Sequence, residues 1–240
     1  MSIDASRLII ALDLPGPEPA LKLVNELGPL GVTFKVGLEL FMAGGPLLVN
    51  ELASKYRVFL DLKFHDIPNT TAAAVREAAA LGVWMINIHA SGGKDMMSAS
   101  REAIEGLDSR PLLTAVTVLT SMDSKGMAET GCPGSVADKV TVLSKLAKAS
   151  GLDGVVCSPL DISAVKNAVS PRFITVTPGV RPIGAEADDQ SRVASPAEAV
   201  RAGGDYLVVG RPITRAVDPL KAARAILDEM EKGYEQREDH

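Results

Sequence analysis

Residues 58–64 read Val58-Phe59-Leu60-Asp61-Leu62-Lys63-Phe64, an alternation of apolar residues with a second set that ends in two charges. Successive side chains of a β-strand point to opposite faces, so one face carries only apolar groups and the other carries Phe59, Asp61 and Lys63. The apolar face suits packing beneath helices, and the charges come late in the segment. The pattern predicts a strand covered by helices on one side, with a functional site at its carboxyl end.

Similar apolar runs recur along the whole chain and alternate with amphipathic helical segments. The runs cover residues 8–12, 33–36, 58–62, 84–88, 112–119, 154–157, 173–176 and 206–209. Strands that alternate with helices indicate parallel βαβ units, and eight of them favour a closed (β/α)8 TIM barrel, with an open doubly wound sheet as the alternative. No GxGxxG pattern follows the first run, which weighs against a dinucleotide-binding sheet. We expect residues 1–240 to form one barrel domain.

The composition is that of an ordinary globular protein with an acidic balance. Lys and Arg number 25 against 30 Asp and Glu, giving a net charge of −5, and 46% of residues are hydrophobic. The acidic balance argues against a nucleic-acid partner, and no apolar run approaches the roughly 20 residues of a membrane span. The beginning of the chain lacks a signal-peptide pattern, and Cys132 and Cys157 are too few for a disulfide framework. We therefore expect a cytoplasmic protein.

The first four predicted strands place polar groups on their inner faces, near the carboxyl ends. These groups are Asp13, Lys35, Asp61, Lys63 and His89, and Asn87 shares the inner face of the fourth strand with His89. Barrel enzymes keep their active sites at that end, whereas buried charges are costly for stability, so the four charged groups favour function over a structural ion-pair cluster. His89 fits a core histidine as well as a catalytic or orienting one, and we interpret His65 as structural. Two lysines would repel a divalent cation, so no metal is expected.

The loops after the seventh and eighth predicted strands each join a glycine to an arginine. Gly179 precedes Arg181 in the first loop, and Gly210 precedes Arg211 in the second. Barrels often bind phosphate with these two loops, where glycine lets backbone N–H groups approach an anion and arginine supplies several donors. Either loop alone could merely turn the chain, but together they favour a phosphorylated ligand. The long connections at 121–133 and 179–192, the second containing Gln190, are predicted lids.

Residues 61–70, Asp61-Leu62-Lys63-Phe64-His65-Asp66-Ile67-Pro68-Asn69-Thr70, resemble the most specific motif of the orotidine 5′-phosphate decarboxylases. Further matches lie at residues 11–13, 34–37, 118–121, 177–181 and 209–213. The resemblance covers nearly the whole chain. It implies decarboxylation of orotidine 5′-monophosphate to UMP, the last step of pyrimidine nucleotide synthesis, without a metal or an organic cofactor.

The resemblance also implies a role for each matching residue. Lys63 would protonate C6 of the pyrimidine, within a charged network that includes Asp61 and Lys35. Asp66, Ile67 and Thr70 would enter the active site of a second subunit, which implies a homodimer. The remaining contacts would be Asp13 and Lys35 with the ribose, Thr120 and Pro178 with the pyrimidine, and Arg181, Gln190, Gly210 and Arg211 at or near the phosphate.

The residue chemistry supports this expectation independently. Loss of CO₂ from C6 leaves a carbanion that cannot delocalise into the ring, and other decarboxylases provide an electron sink for such charge. Here an ammonium, Lys63, would stabilise the charge and then supply the proton. One alternative is a metal-dependent sugar-phosphate decarboxylase or aldolase with a similar Asp-x-Lys-x-x-Asp pattern. The other is a non-catalytic nucleotide-sensing barrel. Residues 65–70 favour the decarboxylase over the first, and the Asp61, Lys63 and Asp66 set argues against the second.

Overall fold

The computed structural model describes residues 3–182 and 192–238, which form a closed ring of eight parallel strands. The strands are β1 (Leu8–Ala11), β2 (Thr33–Gly37), β3 (Val58–Phe64), β4 (Met85–His89), β5 (Leu112–Val116), β6 (Gly154–Val156), β7 (Ile174–Thr177) and β8 (Tyr206–Val209). Each strand pairs with the next one, and β8 returns to pair with β1. The prediction of a single (β/α)8 barrel is confirmed, and the open sheet is excluded.

Helices follow each strand in the described part of the chain. They are α1 (Pro17–Leu27), α2 (Leu38–Ala53), α3 (Pro68–Ala80), α4 (Gly93–Glu102), α5 (Ser124–Glu129), α6 (Val136–Ala149), α7 (Ile162–Ala168), α8 (Pro196–Arg201), α9 (Arg211–Thr214) and α10 (Pro219–Glu238). Several begin at a proline, whose missing N–H costs nothing in the first turn. Ser195 and Glu198 form a capping box before α8. None of these helices is both long and apolar enough to cross a bilayer.

The two faces of the strands form two separate apolar layers, as the alternation predicts. The barrel interior contains Ile9, Ala11, Phe59, Met85, Val116, Val156, Val176 and Val208. The outer faces pack against the helices in a larger cluster that includes Leu60, Ile86 and Ile88. Trp84 departs from this pattern: strict alternation places it outside, but its ring packs against the inner layer, edge-to-face with Tyr206 at 5.0 Å. Trp84 precedes the first residue of β4, where the open end of the barrel has room for a large ring.

Strand β3 is irregular where its charged residues lie. Leu60 pairs with Ile86 and Phe64 with Ile88, so three residues of β3 lie opposite Asn87 alone. At this bulge Lys63 has φ = 52°, the one positive value for a non-glycine residue among the residues described. The shift in register brings both Asp61 and Lys63 opposite the same inward residue of β4.

Charged groups at the opposite, N-terminal end of the barrel are fully engaged in holding strands together. Asp153 accepts bonds from both terminal nitrogens of Arg110, at 2.7 and 2.9 Å, and from the N–H of Leu113 at 2.7 Å. Asp205 accepts from Lys166 Nζ at 2.6 Å and from the N–H of Thr175 at 2.8 Å. These acids pair with the backbone of neighbouring strands, so their role is structural. The charges at the carboxyl end are arranged differently.

Candidate active site

A cavity of about 510 Å³ opens at the carboxyl ends of the strands. Its floor is apolar and consists of Ala11, Phe59, Val116, Val156 and Val208. Its walls include most of the site residues predicted from the sequence: Asp13, Lys35, Asp61, Lys63, Thr120, Pro178, Arg181, Gly210 and Arg211. The fold therefore brings the predicted charged network and the predicted phosphate loops into the lining of one cavity.

Two carboxylates and two ammonium groups alternate along one wall of this cavity. Lys63 Nζ donates to Oδ1 of Asp61 at 2.6 Å, and Lys35 Nζ lies 3.2 Å from Oδ2 of the same carboxylate. Lys35 Nζ also donates to Oδ1 of Asp13 at 3.1 Å. The strands β1, β2 and β3 are adjacent in the ring, so the sequence order of these residues becomes a spatial order. The row Lys63–Asp61–Lys35–Asp13 carries no net charge.

Burial and pairing act in opposite directions on the two central members of the row. Burial alone would lower the pKa of Lys35, but the carboxylates of Asp61 and Asp13 outweigh it and raise that pKa above its usual value. Burial alone would raise the pKa of Asp61, but Lys35, Lys63 and a bond from Asn87 outweigh it and lower that pKa. Both groups are therefore charged at neutral pH. The Lys63 side chain is 31% exposed and forms the edge of the row that faces the cavity.

Asn87 was placed on the inner face by the alternation but was not predicted as a site residue. Its Nδ2 donates to Oδ1 of Asp61 at 2.6 Å, and its Oδ1 accepts the backbone N–H of Lys63 at 2.8 Å. The side chain is buried. An amide on the inner face of the strand next to the charged one was the available signal, but the contact itself depends on the bulge in β3.

Three arginines also line the cavity. Arg181 is buried, and its Nη1 donates to the carbonyl of Val180 at 3.0 Å. Arg211 is the first residue of α9, directly after Gly210. Arg215 also lines the cavity and was missed, although its spacing of four residues from Arg211 places both on one helical face. Gln190 lies outside the residues that the structure describes.

The residues predicted to act on a second subunit do not line the cavity of their own chain. Asp66 and Ile67 are exposed on the connection from β3 to α3, Thr70 is exposed in the first turn of α3, and Oδ1 of Asp66 accepts the N–H of Ile67 at 2.6 Å. Ile67 is 67% exposed, a high value for an isoleucine. On α2, which follows the neighbouring strand β2, Leu38 and Met42 are also exposed.

Other reactive groups near the mouth are neutral or belong to no metal-binding cluster. Burial, with the Asp161 carboxylate nearby, raises the pKa of Cys157 to about 12, so this buried thiol stays protonated at neutral pH. The rings of His65 and His89 lie 5.2 Å apart. Within residues 3–182 and 192–238, no three His, Cys, Asp or Glu side chains are grouped as a metal ion would require.

Comparison with known proteins agrees with this geometry. The model of the orotidine 5′-phosphate decarboxylase / HUMPS family matches residues 6–226. The orotidine 5′-phosphate decarboxylase of Dichelobacter nodosus is 52% identical over 223 residues, which are 92% of this chain and 97% of the relative. That of Saccharophagus degradans is 50% identical and covers 96% of this chain and 97% of its own. The crystal structure of orotidine 5′-phosphate decarboxylase from Lactobacillus acidophilus superposes with a TM-score of 0.83 at 39% identity, covering 93% of this chain and 98% of that one. The chain belongs to the orotidine 5′-phosphate decarboxylase / HUMPS family.

Proposed function

We propose that the protein is a carbon–carbon lyase that converts orotidine 5′-monophosphate to UMP and CO₂, the last step of pyrimidine nucleotide synthesis. The observation that carries this proposal is the row Lys63–Asp61–Lys35–Asp13 at the mouth of a cavity that three arginines also line. A nucleoside monophosphate has the matching chemistry, with a dianionic phosphate at one end and a reacting carboxylate at the other. Homologues named for this activity align over nearly the whole chain.

Lys63 is the residue that we assign to the chemical step. As the bond between C6 and the carboxylate breaks, CO₂ leaves and the electron pair stays on C6. The Lys63 ammonium stabilises that negative charge and then transfers a proton to C6, which yields UMP. Asp61 holds the ammonium in place through the 2.6 Å bond. Since the Lys63 side chain is 31% exposed, the neutral amine can regain a proton from water after the product leaves.

One well-placed charge is not sufficient for the reaction. Enzymes lower barriers by up to about 23 kcal/mol, whereas a single donor contributes about 3–4 kcal/mol. We infer that binding energy from the phosphate, through Arg181, Gln190, Gly210 and Arg211, helps to hold the pyrimidine against Lys63. Asp13 and Lys35 would then contact the ribose, while Thr120 and Pro178 would surround the pyrimidine.

A second copy of the chain would complete the site. Asp66, Ile67 and Thr70 are exposed and do not line the cavity of their own chain, and the exposed apolar side chains Leu38 and Ile67 follow adjacent strands. We infer a homodimer in which Asp66 supplies a further carboxylate to Lys63 of its partner. Mixing inactive Lys63→Ala and Asp66→Asn proteins should restore activity, because each mixed dimer has one intact site. Random exchange would give about a quarter of wild-type activity, and none would return if the site were made by one chain.

We infer that residues 1–240 act as a single barrel domain in the cytoplasm, and the two unpaired cysteines support a reducing compartment. In the presence of the protein and of EDTA, the ultraviolet spectrum of orotidine 5′-monophosphate should change to that of UMP. Turnover of a sugar phosphate that stops when EDTA is added would instead favour the metal-dependent alternative. Nucleotide binding without turnover would favour a sensor.

A further inference from the structure

We propose that Asn87 is a positioning residue whose carboxamide fixes the Lys63 backbone and the Asp61 carboxylate relative to each other. The inference rests on the proposed function, since it assigns Asn87 a part in holding the reacting ammonium. Asn87 is not among the residues that line the cavity. It acts only through its two neighbours on β3.

The contacts form a closed ring of three hydrogen bonds. Oδ1 of Asn87 accepts from the Lys63 N–H at 2.8 Å, Nδ2 donates to Oδ1 of Asp61 at 2.6 Å, and Lys63 Nζ donates to that same oxygen at 2.6 Å. Asn87 is 1% exposed, so water cannot replace these bonds. The Asn87 side chain thus fixes the Lys63 backbone, from which the lysine side chain starts, and the Asp61 oxygen that accepts from Lys63 Nζ.

The Lys63 backbone needs such support because of its conformation. A positive φ costs a residue with a side chain about 1–2 kcal/mol, and the bulge in β3 removes the regular ladder partner of Lys63. The Asn87 carbonyl takes the place of that ladder acceptor. Without the Asn87 carbonyl, relaxation of Lys63 to ordinary β geometry would lower the free energy of the strand. The Lys63 ammonium would then move with the backbone.

The chemistry of the position also requires a side chain with one hydrogen-bond acceptor and one donor. One neighbour offers a donor, the Lys63 N–H, and the other offers an acceptor, the Asp61 carboxylate. A carboxamide supplies one acceptor and one donor, and so does a protonated carboxylic acid of the same shape. An ionised carboxylate would instead meet Asp61 at the 2.6 Å of the present bond. Leucine has a similar shape to asparagine but supplies neither a hydrogen-bond donor nor an acceptor.

This reasoning gives Asn87→Asp a distinctive pH dependence. The charged and titratable groups around the position are Asp61 and Lys63 on β3, Lys35 on β2, and His89 with His65 near the mouth. All of them are also present in the wild type, so the ratio of variant to wild-type kcat at each pH isolates the introduced carboxyl. Near Asp61 and away from water, that carboxyl titrates well above its usual range.

The test compares kcat of wild type, Asn87→Asp and Asn87→Leu from pH 5.5 to pH 8.5, with UMP binding measured by calorimetry. We expect about a 10- to 100-fold loss of kcat in Asn87→Leu at every pH. Asn87→Asp should show a similar loss at pH 8.5 and regain most of it at pH 5.5. The affinity for UMP, which depends on the phosphate loops, should stay within about 3-fold of wild type. Thr114→Val is the matched control, because Thr114 pairs in register with Asn87, is fully buried and contacts no member of the row.

Wild-type kcat in both variants, or a deficit in Asn87→Asp that does not change with pH relative to wild type, would overturn the inference and leave the proposed function intact. If the wild type itself does not act on orotidine 5′-monophosphate, the proposed function fails separately. The positioning role is then decided by crystal structures of the variants. A Lys63 that keeps its positive φ and its bond to Asp61 in Asn87→Leu would contradict it, and a relaxed Lys63 backbone would support it.

Discussion

Lys63 and Asp61 are bonded at 2.6 Å although they lie on the same strand with only Leu62 between them. The bond joins a partly exposed ammonium to a carboxylate that is 8% exposed. Asp61 also pairs with Lys35 on its other oxygen, whereas Lys63 has no second carboxylate among the ion pairs of the described residues. The two residues therefore differ in what their removal leaves behind.

Lys63→Ala should abolish turnover while leaving the fold intact. Removing both the electrostatic stabilisation and the proton donor should lower kcat by more than about 10⁴-fold. Asp61 keeps its bonds to Lys35 and Asn87, so the circular-dichroism spectrum should not change. Lys22→Ala, an exposed lysine on α1, is the control. Near-normal turnover by a folded Lys63→Ala protein would exclude Lys63 as the acid.

Asp61→Ala should be far more damaging to stability than Lys63→Ala. It leaves the ammonium of Lys35 buried beside that of Lys63, and loss of one partner from a buried ion pair costs about 3–5 kcal/mol. Loss of the partly exposed Lys63 should cost less than about 1 kcal/mol. Urea unfolding at pH 7 measures both values. Equal losses would mean that the row is not held together by Asp61.

Gly37→Ala should disturb the row without straining the backbone. A Cβ at Gly37 would lie 3.0 Å from Lys35 Nζ and 3.2 Å from Oδ1 of Asp13, so the ion pair must shift. We expect kcat/KM to fall about 10-fold or more, because misplaced charges lose transition-state stabilisation. Gly16→Ala is the matched control, since a Cβ there meets nothing within 4 Å. Unchanged kinetics in Gly37→Ala would show that the Lys35–Asp13 bond does not matter to the reaction.

Arg211→Ala should reduce kcat/KM although Arg211 follows β8 and Lys63 lies on β3. Loss of a charge-assisted bond to phosphate costs about 1.5–3 kcal/mol, or about 10- to 150-fold. UMP affinity should fall in parallel. Arg224→Ala, an exposed arginine on α10, provides the control. If Arg211→Ala equals wild type on orotidine 5′-monophosphate, binding energy at this end is not used in the reaction.

His89 should make the protein less stable in mild acid. Burial, His65 and Lys63 lower the pKa of His89 below 6.5, and Asp61 opposes them only in part. The unfolded chain therefore binds this proton at a higher pH than the folded one, so the free energy of unfolding decreases as pH falls from above 6.5 towards the lowered pKa. Urea unfolding of wild type and His89→Asn at pH 7.5 and 5.5 measures this. The wild type should lose more stability than the variant, and equal losses would contradict the linkage.

The fold and the four charges of the row were predictable because both depend on local alternation. Side chains at Asp13, Lys35, Asp61 and Lys63 take their direction from the pleat of their own strands, and the order of strands in a barrel follows the order in the chain. The end of α10 was less predictable: the helical pattern covers 218–232, yet the helix continues to Glu238 because Glu, Gln and Arg all favour helix.

The contacts between strands were not predictable in the same way. The role of Asn87 depends on a change of register between β3 and β4, which no property of either segment alone specifies. The proximity of Gly37 to the Lys35–Asp13 pair likewise depends on how β1 and β2 are staggered. The roles of Asp66, Ile67 and Thr70 came from the family resemblance, since exposed side chains on a connection carry no periodic signal.

Between the pairs Leu60–Ile86 and Phe64–Ile88, strand β3 has three residues and β4 has one, so β3 contains two extra residues. An odd number of extra residues would reverse the direction of every later side chain in the strand and point Phe64 into the barrel interior. An even number leaves every later residue facing as before and adds one inward position. Two residues, one polar and one apolar, are thus the shortest insertion that adds a reactive group to a barrel strand and keeps its hydrophobic layers in place.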